Sequence, residues 1–168
     1  MAELVRVQRL YVLVDSFAFS FQEFWDADLP IEFPDAFSAD AFVNAFPGRV
    51  DFCSAGHTHT AAVTVQVWDA DPPVEDGVAW EVRGEVGFES VSGDVAVWTP
   101  SLGRTDDLIE LGGKGRWWVR AHCTGRAEVA ELRESPEPVV GVERYLVQFF
   151  PARPGGGAGE PGSPRPSR

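Results

Sequence analysis

Residues 10–22 read LYVLVDSFAFSFQ, and from residue 17 onward large and small side chains alternate. Phe17, Phe19 and Phe21 fall on one face of an extended chain, and the small residues between them fall on the other. This period of two residues predicts a β-strand with one buried face. Residues 15–16, Asp-Ser, interrupt the pattern, which predicts a bulge or a bend at that point.

Further stretches along the chain have the same strand character and are separated by turn residues. They are residues 49–54, 60–70, 79–90, 93–99, 107–111, 116–125 and 142–152. Short strands at this spacing predict a mostly β protein, an antiparallel β-sandwich of about seven to nine strands with one or two short helices. The predicted core contains Phe17, Phe19, Val63, Val65, Val67, Val95, Val97, Trp118 and Phe149.

Glycine-containing segments predict how these strands are connected. The segment SGD at residues 92–94 links two alternating runs, which predicts a β-hairpin. The segment GGKG at residues 112–115 is interpreted as a second hairpin turn. Gly84 and Gly87 lie inside one strand candidate, and they predict bulges that curve it.

Two segments have helical character. Residues 38–46, SADAFVNAF, predict a short helix capped by Ser38 and ended by Pro47 and Gly48. Residues 126–134, RAEVAELRE, predict two helical turns before the prolines that follow.

The last part of the chain is different in composition. Residues 153–168 are rich in Gly and Pro and offer almost nothing to bury, which predicts a disordered tail. The folded domain is therefore expected to span residues 1–152.

The net charge of -12 is unevenly distributed. Residues 15–110 hold 19 acidic residues against three arginines, so this part carries -16, and the rest of the chain sums to +4. Such a field repels phosphate backbones and attracts basic surfaces. The distribution argues against direct nucleic-acid binding and favours a basic protein as partner, with simple solubility as the alternative explanation.

Two sequence features bear on the compartment. No apolar run approaches the roughly 20 residues that span a bilayer, and residues 1–10 lack the pattern of a secretory signal. We therefore expect a cytoplasmic protein without membrane contact. Cys53 and Cys123 would stay reduced there, and we interpret both as small core residues.

The sequence lacks the common motifs of enzymes. There is no G-x-S-x-G nucleophile elbow, and neither cysteine lies in a catalytic signature. The GGKG segment lacks the spacing and the following Ser or Thr of a phosphate-binding loop, and it precedes a strand instead of a helix. The sequence thus indicates a protein that is not an enzyme and has no cofactor.

His57 and His59 are weak candidates for metal ligands. Histidines at positions i and i+2 of a strand project to the same face. The pair follows Gly56, however, and so falls on the turn that enters a strand. A third ligand at a recognisable spacing is missing, since His122 lies on another strand. Solvated turn histidines are therefore the expectation.

Acidic and aromatic residues are interleaved in residues 23–40. The segment has six acidic residues, no basic residue and four aromatic rings. Aromatic anchors inside an acidic rim suit an interface with a basic protein, because the anchors supply affinity and the charges steer the encounter. The alternative is that the aromatic rings pack on the sandwich and the acids face water. The predicted partner-binding residues are Trp25, Asp26, Asp28, Glu32 and Asp35.

The order of these segments resembles the competence protein J (ComJ) family. The resemblance covers residues 10–124. It rests on the opening strand, on GRVDF (48–52) before TAAVTVQVW (60–68), on AWEVRGEVGFESVSGDVAVW (79–98) and on DLIELGGKGRWWVRAH (107–122). The resemblance implies a small β-sandwich that binds and inhibits a DNA-entry nuclease. An inhibitor or immunity-type protein acting on a nuclease or toxin is therefore expected.

Two other functions stay open at this level. A cupin-like metal-dependent enzyme would use His57, His59 and His122. A small-molecule or carbohydrate-binding β-sandwich would use exposed Trp side chains.

Overall fold

The computed structural model describes residues 1–28 and 41–152, and most of these residues lie in β-strands. The strands are β1 (Leu4–Val14), β2 (Ala18–Glu23), β3 (Val43–Phe46), β4 (Arg49–Cys53), β5 (His59–Trp68), β6 (Val82–Ser90), β7 (Asp94–Thr99), β8 (Gly103–Glu110), β9 (Gly115–Thr124) and β10 (Val140–Pro151). One α-helix, α1 (Arg126–Glu131), and a 3-10 turn (Asp26–Asp28) complete the elements in this part of the chain.

The strands form two five-stranded sheets in a sandwich-like arrangement. The first sheet has the order β1-β5-β10-β9-β6, and the second has the order β3-β4-β2-β7-β8. Within the described ranges every strand pair is antiparallel except β10 with β5, which is parallel. The prediction of a mostly β, antiparallel sandwich is confirmed.

The core lies between the sheets, and period two decides which residues enter it. On β5 the odd positions from His59 to Val67 are buried, and the positions between them are partly exposed. Aromatic rings join the sheets, since Phe19 meets Tyr145 edge to face with centroids 5.0 Å apart and Phe21 meets Phe149 edge to face at 5.6 Å. Such ring pairs stabilise a core by about 0.5–1.5 kcal/mol each beyond the area they bury.

The core prediction is confirmed for seven side chains, which are Phe19, Val63, Val65, Val67, Val95, Val97 and Phe149. It is wrong for Phe17, which is 43% exposed in the tight turn between β1 and β2. It is also wrong for Trp118, which is half-buried, while its neighbour Trp117 takes the buried position on β9. Two consecutive Trp residues necessarily point to opposite faces of a strand.

Both predicted hairpins are wrong, because the chain changes sheets there. β6 pairs with β9, while β7 pairs with β2 and β8, so residues 92–94 connect the two sheets. Residues 112–115 likewise connect β8 to β9 across the sandwich. The two connections touch: Leu111 N–H donates to the Gly93 carbonyl at 2.8 Å, and a Cβ on Gly93 would lie 2.8 Å from the Gly113 carbonyl carbon.

The predicted bulges in β6 are wrong as well. The register between β6 and β9 runs without a shift from Val82 opposite Cys123 to Ser90 opposite Gly115. The glycines make room for neighbouring side chains instead. A Cβ on Gly84 would lie 2.7 Å from Val43 Cγ1, and a Cβ on Gly87 would lie 3.3 Å from the Trp118 ring.

The helix predictions had different outcomes. Residues 126–134 do contain α1, as predicted. Within residues 38–46, Val43–Phe46 form β3 and pair with β4, so a helix there is wrong. The pairing places Ala45 against Val50 in the core, and this tertiary contact overrides local helix propensity. Ser38 and the predicted tail at residues 153–168 lie outside the described residues. No helix in the described ranges is long and apolar enough to cross a membrane.

Candidate functional site

An exposed aromatic corner follows β2. Trp25 is 50% exposed, yet its indole N–H donates to Asp94 Oδ2 at 2.9 Å. Its ring meets Phe24 edge to face with centroids 4.9 Å apart. The backbone is held too, since Phe24 N–H donates to the Asp94 carbonyl at 2.9 Å. Trp25 is thus a fixed side chain with one face open to water.

Arg104 on β8 fixes the corner from the other side. Its guanidinium donates to the Phe24 carbonyl at 2.7 Å and lies 4.3 Å from the centroid of the Phe24 ring. An aromatic side chain that is already held loses little conformational entropy when a partner covers it. The corner is therefore suited to serve as a rigid contact point.

Acidic residues surround this corner only in part. Asp26 is exposed and Asp28 is half-exposed, and both lie in the 3-10 turn directly after Trp25. On the neighbouring strands Asp94 stands opposite Glu110, and Glu110 pairs with Arg6 at 2.9 Å. The other two predicted site residues, Glu32 and Asp35, lie outside the described residues.

Glu23 belongs to the acidic segment of the sequence but not to its surface. Its carboxylate is fully buried at the end of β2. It accepts a hydrogen bond from Val91 N–H at 2.8 Å and a second from the Ser92 hydroxyl. Glu23 thus supports the connection between β6 and β7, and it is not available to steer a partner.

The three histidines lie in three different surroundings. His57 is exposed in the turn before β5, where Nδ1 lies 2.7 Å from the Thr58 hydroxyl. The expectation of a solvated turn histidine is wrong for His59, which is buried at the start of β5 with its Nε2 2.8 Å from Ser54 Oγ. His122 is buried on the outer side of the first sheet, beside Trp80 at 5.2 Å between ring centroids. No cluster of three possible metal ligands occurs within residues 1–28 and 41–152.

His59 belongs to a buried polar network at the start of β5. Ser54 Oγ donates to Glu143 Oε1 at 2.7 Å, and Tyr145 OH donates to the same oxygen at 2.5 Å. The other carboxylate oxygen accepts from Ala55 N–H at 3.0 Å and lies 3.7 Å from the Arg126 guanidinium. The side chains of Ser54, His59, Glu143 and Tyr145 are buried. Ala55 contributes only its backbone N–H, and Arg126 is partly exposed.

The network has the residue types of a hydrolase triad but not its geometry. A catalytic triad places the carboxylate on the far ring nitrogen of the histidine, which then removes the serine proton. Here the Ser54 hydroxyl donates its hydrogen bond directly to the Glu143 carboxylate, and no carboxylate among the described residues bonds to His59 Nδ1. Burial lowers the pKa of His59, an effect that the charge of Glu143 opposes. The geometry indicates a structural network.

Cys53 and Cys123 are both buried and are not joined in a disulfide, as expected for small core residues. Burial raises the pKa of the Cys123 thiol to about 12. Burial also raises the pKa of Cys53. A thiol with a raised pKa is a poor nucleophile at neutral pH.

The network was missed from the sequence, although one signal was present. On β10 the residues Glu143, Tyr145, Val147 and Phe149 share one face by period two, and that face is buried. A carboxylate on the apolar face of a strand requires partners. Ser54 lies 89 positions away, so the sequence could not name its partner.

Comparisons with known proteins give matches by structure alone. No protein-family model matches the sequence, and no curated protein matches it. The fold is similar to that of ComJ from Bacillus subtilis, an inhibitor of the DNA-degrading activity of NucA, with a TM-score of 0.59, 15% identity, and 90% of this chain and 99% of that chain covered. It is also similar to the product of crocagin biosynthetic gene J, with a TM-score of 0.57, 16% identity, and 91% and 99% covered. The expected ComJ-like fold is confirmed.

Proposed function

We propose that this protein is a binding module that inhibits a basic enzyme, such as a nuclease or a toxin, in the manner of an immunity protein. Its contact surface includes Trp25, Asp26 and Asp28, together with Glu32 and Asp35. The observation that carries the proposal is the half-exposed Trp25 ring, which is held in place without a partner by its hydrogen bond to Asp94 and by its contact with Phe24. Central, rigid Trp side chains are frequent hot spots of protein interfaces.

The charge and the fold support the same function. An acidic surface suits an enzyme whose substrate is a polyanion, because that enzyme is basic where it holds the substrate. The fold is shared with ComJ, which inhibits the DNA-degrading activity of NucA. Inhibition by occupation of a basic surface needs no catalytic group in this chain.

The test uses the partner captured from native lysate at low salt, identified and purified, with its nuclease activity as readout. The wild-type chain should reduce that activity. The Trp25→Ala variant should dissociate roughly thirtyfold faster, which corresponds to a loss of about 2 kcal/mol at a hot spot. Its association rate should stay nearly unchanged, because Trp25 carries no charge.

The acidic residues are tested separately. Replacement of Asp26, Asp28, Glu32 and Asp35 by Asn or Gln should slow association and flatten its salt dependence. A matched control makes the same change in net charge at four exposed acids near α1, namely Glu128, Glu131, Glu134 and Glu137.

Two results would contradict the proposal. Equal slowing in the control would show that net charge matters and that this surface does not. A Trp25→Ala variant that unfolds at lower temperature but dissociates at the wild-type rate would show that Trp25 is structural.

A further inference from the structure

A pocket of about 310 Å³ opens at the other end of β2 from Trp25. This volume is at the small end of the roughly 300–1,000 Å³ of small-molecule sites. Its walls are formed by the turn between β1 and β2, by the turn before β5, and by α1 with the segment that follows it. The described lining residues are Phe17, Gly56, His57, Thr58, His59, Val129, Leu132, Arg133 and Val139.

The rim of the pocket carries a strained aromatic residue. Ser16 and Phe17 both have left-handed backbones, with φ angles of 52° and 64°. A bulky side chain rarely adopts this conformation, and such strain persists only where the surroundings fix it. They do so here, because Phe17 N–H donates to the His57 carbonyl at 3.0 Å and the Phe17 carbonyl accepts from Ser54 N–H at 2.8 Å. The Phe17 ring is thereby held half-exposed beside the His57 ring, with centroids 5.0 Å apart.

The inner wall of the pocket includes the ring of His59, which is buried. The ring is fixed from two sides. Nε2 faces Ser54, and a Cβ on Gly56 would lie 2.5 Å from His59 Cδ2, so no side chain fits between them. A wall that is already fixed in this way costs a ligand little ordering entropy.

The charge of the pocket is opposite to that of the chain. Its described titratable lining residues are His57, His59 and Arg133, and none of its described lining residues is acidic. Two carboxylates outside the lining lie close to these groups. Asp15 accepts hydrogen bonds from the Ser101 and Ser16 side chains, and these bonds together with the charge of His57 lower its pKa. Glu143 Oε1 lies 3.7 Å from His59 Nε2. The remaining walls are apolar. A basic rim over apolar walls suits a ligand with one anionic end and a hydrocarbon body.

We propose that this pocket binds an apolar carboxylate, with the acid group at Arg133 and His57 and the hydrocarbon body against Phe17, Val129 and Leu132. A free organic acid and the C-terminal residue of a peptide share this chemistry. The site is separate from the Trp25 corner, so it stands or falls independently of the inhibitor function.

The experiment titrates the isotope-labelled full chain with phenylacetate and hexanoate, and with the matched alcohols 2-phenylethanol and 1-hexanol. Amide chemical shifts report where each compound binds. The acids should shift the amides of Phe17, His57 and Arg133, and the alcohols should bind roughly tenfold more weakly because they lack the charge-assisted hydrogen bond. An acetylated dipeptide ending in Phe, as the acid and as the amide, distinguishes a chain terminus from a free acid.

Two variants complete the test. Arg133→Gln should weaken binding of the acids by roughly fivefold and leave the alcohols unchanged, as expected for one exposed ionic contact. Arg9→Gln, at an exposed position on β1, removes the same charge away from the pocket and should change nothing. The proposal is overturned if no acid shifts these amides, if acids and alcohols bind equally, or if both Arg variants have the same effect.

Discussion

Replacement of Glu143 by Gln tests the buried network most directly, because the side chain keeps its size and loses its charge. Glu143 is fully buried on β10. Gln retains one carbonyl oxygen, which can still accept from Ser54 and Tyr145. Its NH2 group then takes the place of the oxygen that accepts a hydrogen bond from Ala55 N–H at 3.0 Å and lies 3.7 Å from the Arg126 guanidinium.

The expected loss follows from these contacts. One hydrogen bond to a charged acceptor contributes about 1.5–3 kcal/mol, and the substitution puts donor against donor where that bond was. Removing one member of a buried ion pair costs about 3–5 kcal/mol, but Arg126 is partly exposed, which reduces this contribution. We expect the free energy of unfolding to fall by roughly 3 kcal/mol.

The measurement is urea unfolding followed by Trp fluorescence and far-UV circular dichroism, with coincident transitions as the criterion for two states. Glu128→Gln on the exposed face of α1 is the control, and it should change stability by less than about 0.5 kcal/mol. Tyr145→Phe removes a single donor and should cost about 1–2 kcal/mol. If Glu143→Gln costs less than about 1 kcal/mol, the carboxylate is not held as a charged acceptor and the reasoning is refuted.

Three further outcomes are expected. Phe17→Gly should raise the free energy of unfolding by about 1 kcal/mol in the same urea assay, because Gly adopts a left-handed backbone without strain; a loss would show that ring contacts outweigh the strain. Burial lowers the pKa of His59 and His122 below the ordinary 6.5, so the folded state binds fewer protons than the unfolded chain. The free energy of unfolding should therefore fall as the pH drops below 6.5, and His122→Gln should reduce this pH dependence. Truncation after Arg153 should leave the melting temperature unchanged, since residues 153–168 offer no apolar surface.

The strands could be predicted because each one carries its own pattern, but their assignment to sheets could not. β5 alternates buried and part-exposed side chains over ten residues, and period two shows this without any partner. Residues 92–94 have the composition of a reversing turn whether the chain returns to the same sheet or crosses to the other one. Whether the next strand pairs with the previous one depends on contacts far along the chain, such as that of Val97 with Phe21. Turn composition contains no information about such contacts.

Phe17 shows where alternation misleads. Counting Phe17, Phe19 and Phe21 as one face extends the pattern of β2 back through the turn. The interruption at Asp15 and Ser16 predicted a bend, and the structure places a change of sheet there. The exposed Phe in a left-handed conformation is against its backbone preference. Departures from local preference of this kind mark candidate functional positions.

Charge composition predicted the character of the surface but not the role of individual acids. Glu23 and Glu143 are fully buried hydrogen-bond acceptors, whereas Asp26 is open to water. A count of acidic residues gives them equal weight. Their position on the strand distinguishes them, since both buried acids share the inward face of a strand with core residues.

The two candidate sites lie at opposite ends of β2, and this separation decides how they can be tested. Phe17 precedes β2 and Trp25 follows it, with the strand rising about 3.3 Å per residue, so roughly 20 Å separates the two exposed rings. The backbone N–H of Phe17 donates to the His57 carbonyl at one end, and the indole N–H of Trp25 donates to Asp94 at the other. Effects at sites this far apart with no shared partner usually add. A variant at Trp25 should therefore leave binding in the pocket unchanged, and a variant at Arg133 should leave the rate of partner dissociation unchanged. If the variant at one site changes binding at the other, a single ligand contacts both ends of β2.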